Sequence, residues 1–418
     1  MRTLSVYWRV LRHNADFRRL YLARLISFGG DWFLVVPLVG LVYEASDSAF
    51  AAASVIAVQA IPALVLAPLT GTIADRFDRK TILVTADIIR ACLVLSLLAV
   101  DSFGGIWFPL TIMALDGAGA AFFYPASGAA LPNVVPTKDL GPANVLMSSA
   151  WGAMAAIGAG LGGVVAAALS RDAAFVVNSI SFIVSAILIA RISVSLQEKT
   201  RAVTTNVIEA VRDALSYAKD HNRVAALLTA KAVHSLTSGG AVGLFAVVSF
   251  VLFDTGDGGT GLLFGARGVG NLVGPIIAFR LVGANPRRTF GSIGYAMALW
   301  GAAYLFVGVA PTLALAGLGV CVAHMGGGTQ FTFSTYGLQE FSPDQVRGRI
   351  FALDFGLSTL AIAVSSLAIG ALAEVYTVRS LLLGLGVAGV VFGLTWTAVT
   401  ASMWADLPPK TPQSGWIR

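Results

Sequence analysis

The sequence predicts an all-α membrane protein with twelve transmembrane helices in two pseudo-symmetric six-helix halves. Of its 418 residues, 56% are hydrophobic and 12% are charged, whereas a soluble domain carries about 25% charged residues. The apolar residues form long runs between short polar turns, and the runs are near or above the roughly 20 residues that a helix needs to cross a bilayer. A pattern of basic residues also returns in the second half of the chain. Lipid must therefore be the solvent for most of this fold.

The apolar runs set the predicted spans and domain limits. Six runs lie at 17–43, 50–73, 81–100, 107–127, 142–170 and 173–193. Six more lie at 224–253, 258–282, 289–310, 312–336, 348–373 and 380–403. We therefore predict an N-terminal half over 1–193, a cytoplasmic amphipathic linker over 194–222, a C-terminal half over 223–403 and a cytoplasmic tail over 404–418.

The repeat that divides the chain into halves is clearest in the charged turns. Residues 79–81, Arg-Lys-Thr, return as residues 287–289, Arg-Arg-Thr, and each triplet lies between two apolar runs. Asn14 and Asn222 recur at the same shift. Repeated hydrophobic segments of this kind are typical of transporters that bind their substrate between two homologous halves.

Orientation follows from the distribution of lysine and arginine. The loops at 44–49, 101–106 and 254–257 contain acids and no basic residue, while most basic residues fall in the loops on the other side. This positive-inside bias predicts that both termini are cytoplasmic. In the linker, apolar residues recur at helical spacing between Ile208 and Ala218, which predicts a short helix on the cytoplasmic membrane face.

Composition also excludes several functions. The net charge of +6 does not indicate nucleic-acid binding, because the basic residues lie in short loops between spans. Cys92 and Cys321 fall inside apolar runs, where buried thiols are more usual than a disulfide framework. The glycines at 268, 270 and 274 also lie in a span, so they indicate close helix packing and not a dinucleotide loop. We expect no enzyme activity, no cofactor and no metal.

A charged turn between the second and third spans is the first candidate functional element. Its residues are Gly71, Asp75, Arg76, Arg79 and Lys80. The glycine suits a tight turn, and the acid and the bases can bridge elements at the cytoplasmic face, which predicts a latch that releases in a second conformation. The alternative is a plain positive-inside anchor.

Ionisable residues inside the predicted spans are the second candidate. Asp31 and Asp116 are predicted proton carriers, because a carboxylate removed from water can take up and release protons. Arg267 is predicted to be a counter-ion or a ligand for an anionic substrate, with His234 and His324 as further substrate-site candidates. The alternatives are structural ion pairs and hydrogen-bonded core histidines.

Three more charged residues complete the predictions. Asp87 and Arg90 are three residues apart on one span, which predicts a structural pair on one helix face. Asp354 lies near the cytoplasmic end of its span and is predicted to form the latch of the second half with Arg347 and Arg349.

These motifs resemble those of the major facilitator superfamily. The turn from Gly71 to Lys80 is similar to the signature between that superfamily's second and third helices, and the segment at 123–126, Phe-Tyr-Pro-Ala, resembles the branch of macrolide-efflux proteins and the enterobactin exporter. The segment at 158–163 resembles an antiporter signature, although Ala159 stands where that signature has proline. The resemblance implies alternating-access transport, with export driven by the proton gradient.

The function predicted from these observations is proton-coupled efflux of an amphipathic small molecule, such as an antibiotic, a siderophore or a secondary metabolite. This would make the chain an antiporter of the multidrug-resistance type in the bacterial inner membrane. Its partners would be the substrate, protons and membrane lipids, with no nucleic acid, and it would act as a monomer. The alternatives are a lipid-moving or importing facilitator of the same fold and a membrane receptor that transports nothing.

Overall fold

The computed structural model describes residues 2–103, 105–136, 139–197, 207–282 and 285–407, and these ranges contain helices and connecting turns but no strand. The all-α membrane class is thereby confirmed. The N-terminal helices are α1 (Arg2–His13), α2 (Ala15–Ser46), α3 (Ala49–Arg76), α4 (Arg79–Ser96), α5 (Val100–Phe103), α6 (Trp107–Val134), α7 (Leu140–Ala168) and α8 (Arg171–Ala190). A 3-10 turn, Leu97–Ala99, joins α4 to α5.

The remaining helices are α9 (Val207–Asp220), α10 (Asn222–Gly243), α11 (Phe245–Val247), α12 (Gly256–Val282), α13 (Pro286–Gly291), α14 (Ile293–Val309), α15 (Leu313–Phe341), α16 (Asp344–Leu372) and α17 (Val378–Ala405). A π-helical turn, Val248–Leu252, follows α11. Helix α9 lies inside the predicted linker. Its alanines Ala214 and Ala218 are buried, whereas Val211 and Leu215 are exposed.

Nine helical segments within the described ranges are long and apolar enough to cross a membrane. Three further helices, α6, α7 and α15, have 28 or 29 residues. The predicted count of twelve spans is consistent with these helices and remains a prediction. The helix breaks after Val309 and resumes at Leu313, where the sequence predicts the boundary between two spans.

The chain forms two compact units. Unit 1 holds residues 1–47 and 58–204, and unit 2 holds residues 48–57 and 205–417. Within unit 2, the Glu374 carboxylate accepts hydrogen bonds from Ser48 Oγ at 2.8 Å and from the Phe50 amide at 2.9 Å. This carboxylate provides an acceptor for one of the amides at the start of α3 that have no partner within the helix.

Glycines on α7 allow it to approach α2 closely in unit 1. A Cβ atom at Gly158 would lie 3.2 Å from the Gly29 carbonyl carbon, and one at Gly162 would lie 2.9 Å from the Phe33 carbonyl carbon. These contacts are with backbone, which cannot move aside as a flexible side chain can. The segment that resembles an antiporter signature therefore also serves helix packing.

Gly162→Ala tests this packing. We expect a loss of stability of about 1–3 kcal/mol, because the added methyl group must push two helix backbones apart. The measurement is thermal unfolding of the purified protein in detergent. Gly128→Ala is the matched control, since a Cβ atom at Gly128 meets nothing within 4 Å; equal melting temperatures for the two variants would contradict the packing argument.

Unit 2 uses the same device between α12 and α15. A Cβ atom at Gly270 would lie 2.9 Å from the Met325 amide nitrogen, and one at Gly274 would lie 2.6 Å from the Met325 carbonyl carbon. Gly268 is buried on the same helix. Gly270 and Gly274 thus lie at a helix–helix contact, as the sequence predicts for them.

Candidate functional site

Arg90 on α4 is the centre of a buried charge cluster in unit 1. Its side chain is fully buried, and its guanidinium carbon lies 4.1 Å from the centroid of the Phe182 ring on α8. It donates twice to Asp116 on α6, from Nε to Oδ1 at 2.9 Å and from Nη2 to Oδ2 at 3.3 Å. Nη2 also donates to Asp31 on α2. Arg90 therefore joins the two predicted proton carriers at one guanidinium.

The second oxygen of Asp31 has its own partner. Tyr124 on α6 donates its hydroxyl to Asp31 Oδ2, so both oxygens of this carboxylate accept hydrogen bonds. Phe28 packs edge-on against the Tyr124 ring at a centroid distance of 5.3 Å. Asp31 is thus held between α4 and α6 by one charged and one neutral donor.

Asp87 has a weaker connection to the same guanidinium. Its Oδ1 lies 3.8 Å from Arg90 Nη1 and accepts a hydrogen bond from Ser27 Oγ at 3.0 Å. Ser27 Oγ in turn accepts from Arg90 Nη1 at 3.1 Å. The predicted pairing of Asp87 with Arg90 is therefore a loose contact, and the strong partners of Arg90 are on other helices.

We call Asp31, Asp87, Arg90 and Asp116 the aspartate cluster. All four side chains are buried, and three carboxylates share one guanidinium. If all three were ionised, the cluster would carry two uncompensated negative charges, which a membrane interior does not tolerate. Bound protons can neutralise them. The arrangement is therefore suited to taking up and releasing protons.

A second group of candidates lies in unit 2 around Arg267 on α12. Its charge acts on both His234 of α10 and His324 of α15. His324 Nε2 lies 3.2 Å from the Tyr304 hydroxyl on α14, and the His234 ring packs edge-on against Trp300 at 5.6 Å. The structure thus brings the three predicted substrate-site residues together with two aromatic residues of α14.

Asp354 has a bond partner that the prediction did not name. It accepts a hydrogen bond from Lys231 of α10, and both side chains are buried. Arg349 donates to Asp213 at 2.6 Å, and Arg347 donates to the Ser342 carbonyl at 3.0 Å. Asp354 therefore forms a buried ion pair with Lys231, and these two arginine bonds go to other residues.

The predicted latch of the first half makes contacts within unit 1. Arg79 donates to the carbonyls of Ala129 at 2.7 Å and Leu196 at 3.2 Å, and Lys80 donates to the Ile192 carbonyl at 2.9 Å. Arg79 thus bonds to a carbonyl of α6, and both basic residues bond to carbonyls of the segment that follows α8, where such groups lack helical partners. Arg76 is exposed. Gly71 lies within α3, and the side chain of Asp75 lies outside the described part of the chain.

Asp78, which the prediction omitted, caps α4 in this turn. Its Oδ2 accepts from the Thr81 amide at 2.9 Å and from Thr81 Oγ1 at 2.8 Å. Burial opposes ionisation, but the hydrogen bonds from Thr81 and the charge of Lys80 outweigh it and hold the pKa of Asp78 below its ordinary value. The cap therefore stabilises the fold above the unfolded pKa of aspartate and is lost as the pH falls through the folded value.

Asp78→Ala tests this cap. We expect the free energy of unfolding to fall by about 1 kcal/mol at neutral pH, because one amide at the start of α4 loses its acceptor. The measurement is thermal unfolding at several pH values. The difference in melting temperature between variant and wild type should become smaller as the pH falls. Asp101→Ala, at an exposed aspartate, is the control. A difference in melting temperature that stays constant as the pH falls would contradict a role for the ionised carboxylate.

The family model for transmembrane secretion effectors of the MFS type matches residues 6–410. The chain belongs to this family. It is therefore a membrane transporter of the major facilitator superfamily, which confirms the resemblance drawn from its motifs. Several of its curated relatives are named as exporters or efflux proteins, and those names describe the relatives.

The relative named "Putative bacilysin exporter BacE", from Bacillus subtilis (strain 168), is 26% identical over 87% of this chain and 89% of its own length. Macrolide efflux protein A of Streptococcus pyogenes is 23% identical over 83% of this chain and 87% of its own. Two uncharacterized MFS-type transporters of Bacillus subtilis (strain 168) are matched over only 52% and 32% of their lengths.

Solved structures support the same fold. A POT family transporter in complex with a thioalcohol-conjugated peptide aligns with a TM-score of 0.72 over 93% of this chain and 96% of that one, at 12% identity. At this identity the likeness concerns the fold alone.

Sequence reasoning missed the central position of Arg90 and the contribution of Tyr124. A signal for Arg90 was present, because every ionised group inside a span needs a partner. Pairing the intramembrane acids of the first half with its few intramembrane cations would have connected Arg90 to Asp31 and Asp116. For Tyr124, no spacing rule places a hydroxyl on α6 beside a carboxylate on α2.

Proposed function

We propose that this transporter exports an amphipathic small molecule in exchange for protons, and that the aspartate cluster carries the protons. The observation that supports this most strongly is the unequal charge of the cluster, with three buried carboxylates on one guanidinium. Such a site changes its preferred partners whenever a proton arrives or leaves. The efflux names of two relatives support the direction of transport.

In the proposed cycle, Asp31 and Asp116 compete for Arg90. Protonation of one carboxylate removes its charge, so the guanidinium pairs more strongly with the other. Because the two aspartates lie on α2 and α6, this exchange changes the contacts between those helices and α4. A bistable contact of this kind can couple proton binding to alternating access.

The other site residues have proposed roles in the same cycle. Arg267, with His234 and His324, would act as a counter-ion or a substrate contact in unit 2. The turn from Gly71 to Lys80 would be a conformational latch. We place the protein in the bacterial inner membrane with both termini cytoplasmic, acting as a monomer with protons, lipids and a small-molecule substrate as its partners.

The substrate is sought first in a drug-hypersusceptible bacterial host that expresses the chain. The compound panel includes bacilysin and a macrolide, because relatives carry those names. A compound to which the chain confers resistance is then tested with the purified protein in proteoliposomes. Proton exchange predicts that this compound accumulates in vesicles with an acidic lumen, whichever way the protein is inserted.

The same assay separates the alternatives. An importer that moves substrate and proton together would accumulate the compound when the outer medium is acidic. A facilitator would equilibrate it without accumulation, a lipid-moving protein would transfer a fluorescent phospholipid between leaflets, and a receptor would bind without transport. If the compound accumulates inside the vesicles when the outer medium is the more acidic side, proton exchange is contradicted.

A further inference from the structure

We propose that Arg24 on α2 binds a carboxylate of the transported molecule. This inference rests on the proposed transport function and deepens it by naming a substrate class, an amphipathic molecule with a free carboxylate. It concerns unit 1 alone. It arises from the contacts of Arg24 and from a comparison of the two halves of the sequence repeat.

Arg24 is a partly buried cation with few partners. Its Nη1 donates to Ser127 Oγ on α6 at 3.0 Å, and its guanidinium carbon lies 5.8 Å from the centroid of the Tyr124 ring. Among the described residues no carboxylate lies within ion-pair distance of it. Most of its five N–H donors are therefore available to a ligand.

The position of Arg24 does not suit a headgroup anchor. It lies five residues beyond Arg19 on the same helix, which is roughly 8 Å further along the axis. Its contacts also direct it towards α6, because both Ser127 and Tyr124 belong to that helix. A cation at this depth needs a counter-charge or water.

Unit 2 contains a similar cation with a complete set of partners. Lys231 on α10 donates to Thr335 Oγ1 at 3.0 Å and lies 3.9 Å from the centroid of the Phe331 ring. It also donates to the carboxylate of Asp354. This cation thus contacts a hydroxyl, an aromatic ring and an acid.

The repeat relates these two sites to each other. Residues 79–81 return as residues 287–289, and the same shift along the sequence, to within one residue, also relates the residues of these two sites. The related pairs are Arg24 with Lys231, Ser127 with Thr335, and Tyr124 with Phe331. The hydroxyl and the ring are therefore common to both halves. The sites are two versions of one arrangement.

The sites of Arg24 and Lys231 differ in whether an acidic residue is present. At the same shift, the positions that match Asp354 are Leu146 and Met147, which are apolar. The site of Arg24 thus has the cation, the hydroxyl and the ring, but no acid among the described residues pairs with it. A ligand carboxylate can fill this place, and the planar guanidinium fork suits a carboxylate better than an ammonium does.

The test uses two fluorescent probes that differ in one group, dansyl-phenylalanine and its neutral carboxamide. The purified full chain in phosphatidylcholine nanodiscs should bind the carboxylate about tenfold more tightly than the carboxamide, as expected for a charged hydrogen-bonded pair. Arg24→Gln should make the two affinities equal, and Arg24→Lys should retain part of the preference. Arg18→Gln, an exposed arginine of the same helix, is the matched control and should keep all of it.

Three outcomes would overturn the inference. These are a wild type that binds the carboxylate no more tightly than the carboxamide, an Arg24→Gln variant that keeps the preference, and a preference that disappears in nanodiscs containing phosphatidylglycerol. The last result would assign Arg24 to lipid headgroups. Resistance and vesicle accumulation are measured separately, so a failure of this inference with intact proton exchange is distinguishable from a failure of the proposed function.

Discussion

Arg90→Leu should abolish transport driven by a pH gradient and lower the free energy of unfolding by about 3–5 kcal/mol, the usual cost of leaving buried charges without their partner. The physical reason is that three carboxylates depend on this guanidinium. Without it, each must take up a proton or open the helix packing to water. The measurements are thermal unfolding in detergent and accumulation in proteoliposomes with an acidic lumen.

A combined variant separates the structural part of this effect from the functional part. Adding Asp31→Asn and Asp116→Asn to Arg90→Leu removes the unpaired charges and should recover much of the lost stability without restoring proton-driven accumulation. Arg18→Leu is the control for removing an exposed arginine. An Arg90→Leu protein as stable as the wild type would contradict the charge argument.

Asp31→Asn and Asp116→Asn should each uncouple transport from the pH gradient, whereas Asp87→Asn should retain coupling. Asp31 and Asp116 bond directly to Arg90, so an amide at either position removes a charge that the guanidinium needs. Asp87 lies 3.8 Å from Arg90, and we expect it to hold a proton at rest. An amide resembles a protonated carboxyl group and should be tolerated there.

The three variants are compared in one assay of proton flux and substrate flux. Uncoupled variants should still equilibrate the substrate down its own gradient while accumulating none. If Asp31→Asn and Asp116→Asn both transport normally at every pH gradient, neither aspartate is the coupling acid. If Asp87→Asn alone abolishes coupling, the roles within the cluster are reversed.

Much of the fold could be predicted from the sequence, because span length and composition are local properties. The boundary near Pro311 and the helix in the linker needed only apolar periodicity and a proline. Glycine spacing likewise indicated that α12 packs closely on a neighbour, and Gly270 and Gly274 lie at such a contact with α15.

The partners of the charged residues were less predictable, because they depend on which helix faces lie together. Spacing along one helix predicted that Asp87 is the partner of Arg90, but the shorter bonds of Arg90 are to Asp31 on α2 and Asp116 on α6. Spacing likewise suggested arginines of α16 for Asp354, whereas Lys231 of α10 bonds to it. In a membrane bundle, the neighbours of a buried charge are set by packing between helices.

The charge balance of the aspartate cluster can be measured directly by infrared spectroscopy of the protein with isotope-labelled aspartate. Arg90 bonds directly to Asp31 and Asp116, while Asp87 lies 3.8 Å from it, so we expect Asp87 to be the carboxylate that holds a proton. At neutral pH we expect a protonated-aspartate signal that is absent in Asp87→Asn and unchanged in Asp101→Asn. A wild type without that signal would show the whole cluster ionised and would contradict its role as a proton carrier.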